Sequence, residues 1–154
     1  MENIDTSRKL LYENRLMRTD EEADIFEASL SVLSKNHQID DITYLCASFD
    51  DSTKLNDVMF GLVHLIESFY QLDEPKLVMK KFLKSIPLMR PHAEKWLKVL
   101  FYRILNNPEA RVWLSISLSE VEDDVKSETI QLLTVIAIED KDRFGDLIED
   151  VLKK

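Results

Sequence analysis

Glycine is nearly absent from this 154-residue chain, with only Gly61 and Gly145 present. A loop that cradles phosphate needs companion glycines at short spacing, and neither residue has one, which excludes P-loop and dinucleotide-binding motifs. Four prolines complete a poor supply of turn formers, so an architecture of tight strand hairpins has little to build on. One cysteine, Cys46, cannot form an internal disulfide. It lies among helical apolar residues and reads as a small buried hydrophobe, and no Gly-x-Ser-x-Gly elbow offers an alternative nucleophile. Membrane spans need roughly 20 consecutive apolar residues, and no stretch comes near that. The opening MENIDTSRKLLYENRLMRTD lacks a long apolar run with small-residue cleavage signals, so a cytoplasmic location is expected.

Histidine is also scarce, at three residues. Metal sites in helical bundles commonly use Glu-x-x-His pairs on facing helices. Here His64 and Glu67 stand in the reverse order, and a single pair cannot close a coordination sphere. His37 and His92 have no recognisable partner. The sequence therefore points to no catalytic residue, no metal and no cofactor.

What the chain does have is helix-forming material, with 45% hydrophobic and 32% charged residues. That apolar content is enough for one core without metal or disulfide support. The net charge of −9 argues against nucleic acid as a partner, because phosphate neutralisation needs clustered lysines and arginines. The distribution is uneven. Residues 19–74 hold thirteen acids and two bases, residues 75–111 two acids and nine bases, and residues 112–154 eleven acids and five bases. Such segments either attract one another on folding or present separate patches that steer a partner.

The apolar spacing predicts about eight helices. Residues 1–18 form an arm that fits a short helix through Leu10, Leu11, Leu16 and Met17, ahead of one all-helical domain over 19–154. Thr19 with Glu22 fits a capping box opening a helix over about 20–36. Asp40 or Asp41 is placed to cap a short helix through Phe49, and Asp51, Ser52 or Thr53 the next. That one, KLNDVMFGLVHLIESFY over 54–70, carries the broadest apolar face, with Glu67 at its edge. Asp73 and Pro75 open a helix ended by Pro87, Pro91 begins another through Trp96 to Leu105, and Asn107 with Pro108 caps a further one. Ser119 with Glu122 reads as a second capping box, and Phe144 to Leu152 closes the chain. Short connections favour antiparallel neighbours, hence stacked hairpins in a HEAT-like right-handed array or a compact irregular bundle.

The motif VMFGLVHLIESF at 58–69, with a helix containing Trp96 and RILNNPE at 103–109, resembles the thirtieth family of bacterial polymorphic-toxin immunity proteins. The resemblance covers roughly residues 20–120. It implies a cytoplasmic antitoxin that binds the toxic C-terminal domain of a cognate effector, with no catalytic residue to carry over. The matching residues are Glu67, Trp96, Arg103 and Asn106, whose expected role is largely to hold helices together, Glu67 pairing with a base such as Arg103. An acidic antitoxin suits a basic toxin, and many basic toxin domains are nucleases. The candidate partner-binding residues are Asp40, Asp41, Asp50, Asp51, Asp57, Glu67 and Trp113. The competing class is a helical scaffold or adaptor that binds a protein partner; an enzyme is the third.

Overall fold

The computed structural model describes residues 3–153, and among these there are nine α-helices and no strand. They are α1 (Ile4–Glu13), α2 (Asp20–Lys35), α3 (Asp41–Ala47), α4 (Asn56–Leu72), α5 (Pro75–Ser85), α6 (Glu94–Leu105), α7 (Pro108–Leu118), α8 (Asp123–Glu139) and α9 (Asp146–Leu152). A 3-10 turn (Ile86–Met89) follows α5, and a π turn (Lys141–Gly145) leads into α9. The all-α architecture expected from composition and periodicity is what the chain adopts.

Several helix starts follow the predicted chemistry. The Thr19 hydroxyl accepts from the Glu22 N–H at 3.1 Å, and the Glu22 carboxylate accepts in return from the Arg18 N–H at 2.9 Å. The first bond satisfies one orphan donor of the first turn, and the second ties the carboxylate to the N–H just ahead of the cap. Asn107 accepts from the Ala110 N–H at 3.1 Å with Pro108 in the first helical position.

Other starts differ. Ser119 does not open α8: it ends α7, its hydroxyl donating to the Ile116 carbonyl, and Glu122 takes the cap position without a side-chain bond. Asp123 and Asp124 in the first turn supply negative charge to the helix dipole instead. Pro91 does not begin α6: it lies in a turn, and the helix starts at Glu94. The cap of α6 comes from a distant residue. Asp51 accepts from the N–H groups of Lys95 and Trp96 at 3.1 and 3.3 Å, so it serves α6 and leaves α4 without a side-chain cap.

The helices stack in two layers. Along one, each odd-numbered helix touches the next, from α1 through α3, α5 and α7 to α9. The even-numbered helices lie against this row, and among them only α2 and α4 pack closely on one another. One contiguous apolar core lies between the layers. It includes fully buried Phe26, Phe49, Phe69, Phe82, Phe101 and Phe144.

The N-terminal segment is tied into this stack. Leu11 is fully buried, Arg8 reaches Asp41 at 2.6 Å, and Arg15 reaches Asp50 at 3.2 Å. The Lys54 N–H also donates to the Leu16 carbonyl at 2.9 Å.

Folding brings the oppositely charged segments together. Lys81 pairs with Asp40 at 2.7 Å, Lys84 with Glu122 at 3.7 Å, Arg90 with Glu128 at 3.5 Å and Lys98 with Glu139 at 2.9 Å. Lys80 pairs with Glu120 and Arg103 with Glu67. With Lys76 on Glu74 at 4.0 Å, seven of the nine bases in 75–111 thus meet acids from the flanking segments, and of the two alternatives left open by the charge pattern, mutual attraction is realised.

Candidate functional site

α4 and α6 do not approach closely along their backbones, whereas their hairpin neighbours α5 and α7 do. A gap is left between α4 and α6, a cleft of about 670 Å³. Its floor is apolar, formed by Ile66, Phe82, Leu100, Ile104 and Ala110. Polar groups ring its mouth: Glu67 and Gln71 from α4, Arg103 from α6, and Asn107 and Glu109 at the start of α7.

One ion pair spans the gap. The Arg103 guanidinium donates Nε to one Glu67 oxygen at 2.7 Å and Nη2 to the other at 2.8 Å, a fork-to-fork geometry. Hydrogen bonding to Glu67 raises the pKa of Arg103 above its ordinary value. The same guanidinium lies 5.3 Å from the centroid of the Phe60 ring. Both side chains remain about two-fifths exposed, so water screens the pair.

Beside it, Tyr70 of α4 and Trp113 of α7 stack with centroids 5.2 Å apart and planes within 8°. The Tyr70 hydroxyl points inward and donates to the Met79 sulfur at 3.7 Å, and burial raises its pKa well above that of a free phenol.

The seven candidate residues separate clearly. Glu67 and Trp113, predicted from different helices, come together on the cleft. Asp57 is exposed in the first turn of α4 and makes no ion pair among the described residues. Asp40 is exposed but holds Lys81, which lowers its carboxyl pKa below the ordinary value.

The remaining three face inward. Asp41 is fully buried, bonded to Arg8, with one carboxylate oxygen unpartnered. Burial raises its pKa although the Arg8 guanidinium pulls the other way. Asp50 is buried between Arg15 and the Ser52 N–H, and Asp51 is committed to the α6 terminus.

Nothing local singles out Tyr70, Gln71 or Glu109. Tyr70 sits on the apolar stripe of α4, where periodicity reads it as core. Glu109 and Trp113 are one turn apart on α7, a spacing that would have placed a carboxylate beside the indole.

Other arrangements weighed from the sequence resolve simply. His64 packs edge-on against Phe60 with centroids 5.1 Å apart, and no group of histidine, cysteine and acidic side chains suited to a metal occurs among the described residues. Trp96 is buried between Phe49 and Phe60. Cys46 is buried, and desolvation pushes its thiol up to about 12. Among the described residues, no helix is long and apolar enough to cross a membrane.

A family profile described as Immunity protein 30 matches residues 13–114, about two-thirds of the chain. The chain belongs to this family. The match runs from the end of α1 into α7 and takes in every residue lining the cleft, ending one position after Trp113. No curated protein and no solved structure matches the chain. The Glu67–Arg103 pair and the buried Trp96, expected from their places on the helix faces, do join helices, and Asn106 ends α6.

Proposed function

We propose that this immunity protein binds the toxic C-terminal domain of a cognate polymorphic toxin in the cytoplasm and neutralises it by occlusion, without catalysis. Membership of the immunity family carries this conclusion. The charge layout supports a basic toxin. With most of the bases of 75–111 neutralised internally, the outer face of α2 still presents Asp20, Glu21, Asp24 and Glu27, all exposed and without an ion pair among the described residues. Asp57 adds a fifth such carboxylate near the groove that Glu27 and Val58 line between α2 and α4. Such a face steers a cationic partner and raises the association rate. On a nuclease it stands in for the phosphates of the substrate.

The experiment pairs the protein with the C-terminal domain encoded by the adjacent reading frame. Co-elution should persist at about 0.15 M salt, where surface charges are partly screened. Replacing Asp20, Asp24 and Glu27 together with lysine should slow association about tenfold while changing dissociation little. Absence of binding at micromolar concentration defeats the proposal, and unchanged association rates remove α2 from the steering surface.

The two-layer helical stack equally suits a scaffold or adaptor for another protein. Gene neighbourhood separates the two, since an antitoxin should lie beside a large secreted protein with a toxic C-terminus.

A further inference from the structure

We propose that the cleft between α4 and α6 is the anchor site for the toxin, and that it receives an arginine side chain. This rests on the neutralisation proposed above. The cleft combines the three things a guanidinium on an aliphatic stem requires: an apolar floor for the methylenes, an aromatic surface for the planar head and a free carboxylate for its N–H fork.

Ile66, Leu100 and Ile104 supply the floor, and the Tyr70–Trp113 stack supplies the aromatic surface. Glu109 supplies the carboxylate. It is exposed at the cleft mouth, one helical turn from Trp113, and makes no ion pair among the described residues.

The chain itself shows that this chemistry works at the mouth. Arg103 places its own guanidinium bidentate on Glu67 and over the Phe60 ring. With Arg103 satisfied by Glu67, Glu109 is the surplus charge, and the complementary occupant is a cation.

The volume of about 670 Å³ lies within the roughly 300–1,000 Å³ typical of built recognition pockets, so an inserted side chain and its flanking backbone fit. Arginine held against aromatic residues in a desolvated pocket is also a common source of concentrated binding energy. The acidic face of α2 then brings the toxin in, and the cleft holds it.

Thiol protection tests coverage of the cleft. Gln71 is exposed on its rim, and the native Cys46 is buried with its thiol pushed up to about 12, so a Gln71→Cys variant offers one reactive thiol. Its alkylation should slow at least tenfold when the purified C-terminal toxin domain is added. A complex that forms while alkylation is unchanged overturns the cleft proposal and leaves neutralisation standing. Failure of the complex to form at micromolar concentration defeats both. Protection that grows with the concentration of the immunity protein alone assigns the cleft to a second copy and overturns the toxin assignment.

Affinity then identifies the side chain. Trp113→Ala should weaken binding about thirtyfold and Glu109→Gln about tenfold, chiefly through faster dissociation. Glu109 is exposed, so its variant stays informative if loss of Trp113 disturbs folding. Alanine scanning of the toxin's arginines should find one whose loss makes Glu109→Gln silent. If no arginine couples to Glu109, the assignment fails.

Discussion

The α3–α5 contact and the α4–α6 gap lie back to back in the same stack, and they are built differently. The odd-numbered layer is closed: each helix touches the next, and lysines of α5 reach Asp40 ahead of α3 and Glu120 and Glu122 beyond α7. The even-numbered layer opens between α4 and α6, where the exposed Glu67–Arg103 pair and the Phe60–Trp96 ring contact span the space. Closing one layer of a helical stack splays the other, so the stable layer and the accessible cleft are two results of one packing choice.

The largest effect should come from breaking the closed layer. Leu45 is fully buried in α3, and Leu45→Ala removes apolar contact and leaves a cavity, costing about 2–5 kcal/mol. The midpoint of urea unfolding should fall with little change in slope. A loss below about 1 kcal/mol would mean that this layer does not carry the stability assigned to it here.

Asp41→Asn should change stability by less, within about 1 kcal/mol near neutral pH, because losing the charged partner of Arg8 is offset by removing a desolvated carboxylate. Its pH signature is more diagnostic than its size. Burial raises the folded pKa of Asp41 above the unfolded value, so the native state holds that proton more tightly. The ionised carboxylate is therefore a cost above its folded pKa, relieved as pH falls through it. Wild type should gain stability relative to Asp41→Asn as pH falls through the raised folded pKa toward the ordinary carboxylate range. Asp40 behaves oppositely: Lys81 lowers its pKa, and its contribution is lost as pH falls through that lowered value. A wild-type advantage over Asp41→Asn that shrinks on acidification would show that Arg8, not desolvation, governs the buried carboxyl.

Much of this arrangement was legible in the sequence because helical periodicity and local caps are short-range signals. The α2 cap at Thr19, the α7 cap at Asn107 and the apolar stripe of α4 all follow from residues within two turns of one another. Asp51 shows where such reading stops. As an Asx residue ahead of an apolar run it looks like the α4 cap, and only tertiary contact brings it to the α6 terminus more than forty residues away. The inward turn of Asp41 and Asp50 is the same kind of event, since nothing local announces that Arg8 and Arg15 fold back onto them. Glu67 and Trp113 were singled out individually, and the cleft that joins them exists only because α4 and α6 separate.

Arg103→Met tests the open layer. It removes the only ion pair joining α4 to α6 among the described residues, but that pair is about two-fifths exposed. After solvent screening the cost should stay below about 1 kcal/mol, well under that of Leu45→Ala. Hydrogen exchange should quicken in the last turn of α4 and leave α3 and α5 unchanged. Equal quickening in both layers would mean that they do not open independently.

Gly61→Ala should have the smallest effect, and its sign depends on two opposed terms of similar size. Gly61 lies inside α4 at a helical conformation, so alanine gains about 1 kcal/mol of helix propensity. The added Cβ would stand 2.9 Å from Leu30 Cδ2, closer than such atoms pack. That methyl is the far end of a half-buried side chain bordering the groove between α2 and α4, so a rotamer change can relieve the contact. The net change should lie within about 0.5 kcal/mol of zero, read from urea midpoints. A loss above about 2 kcal/mol would show that α2 cannot yield and that the α2–α4 contact is as rigid as α3 on α5, in contrast to the open α4–α6 gap.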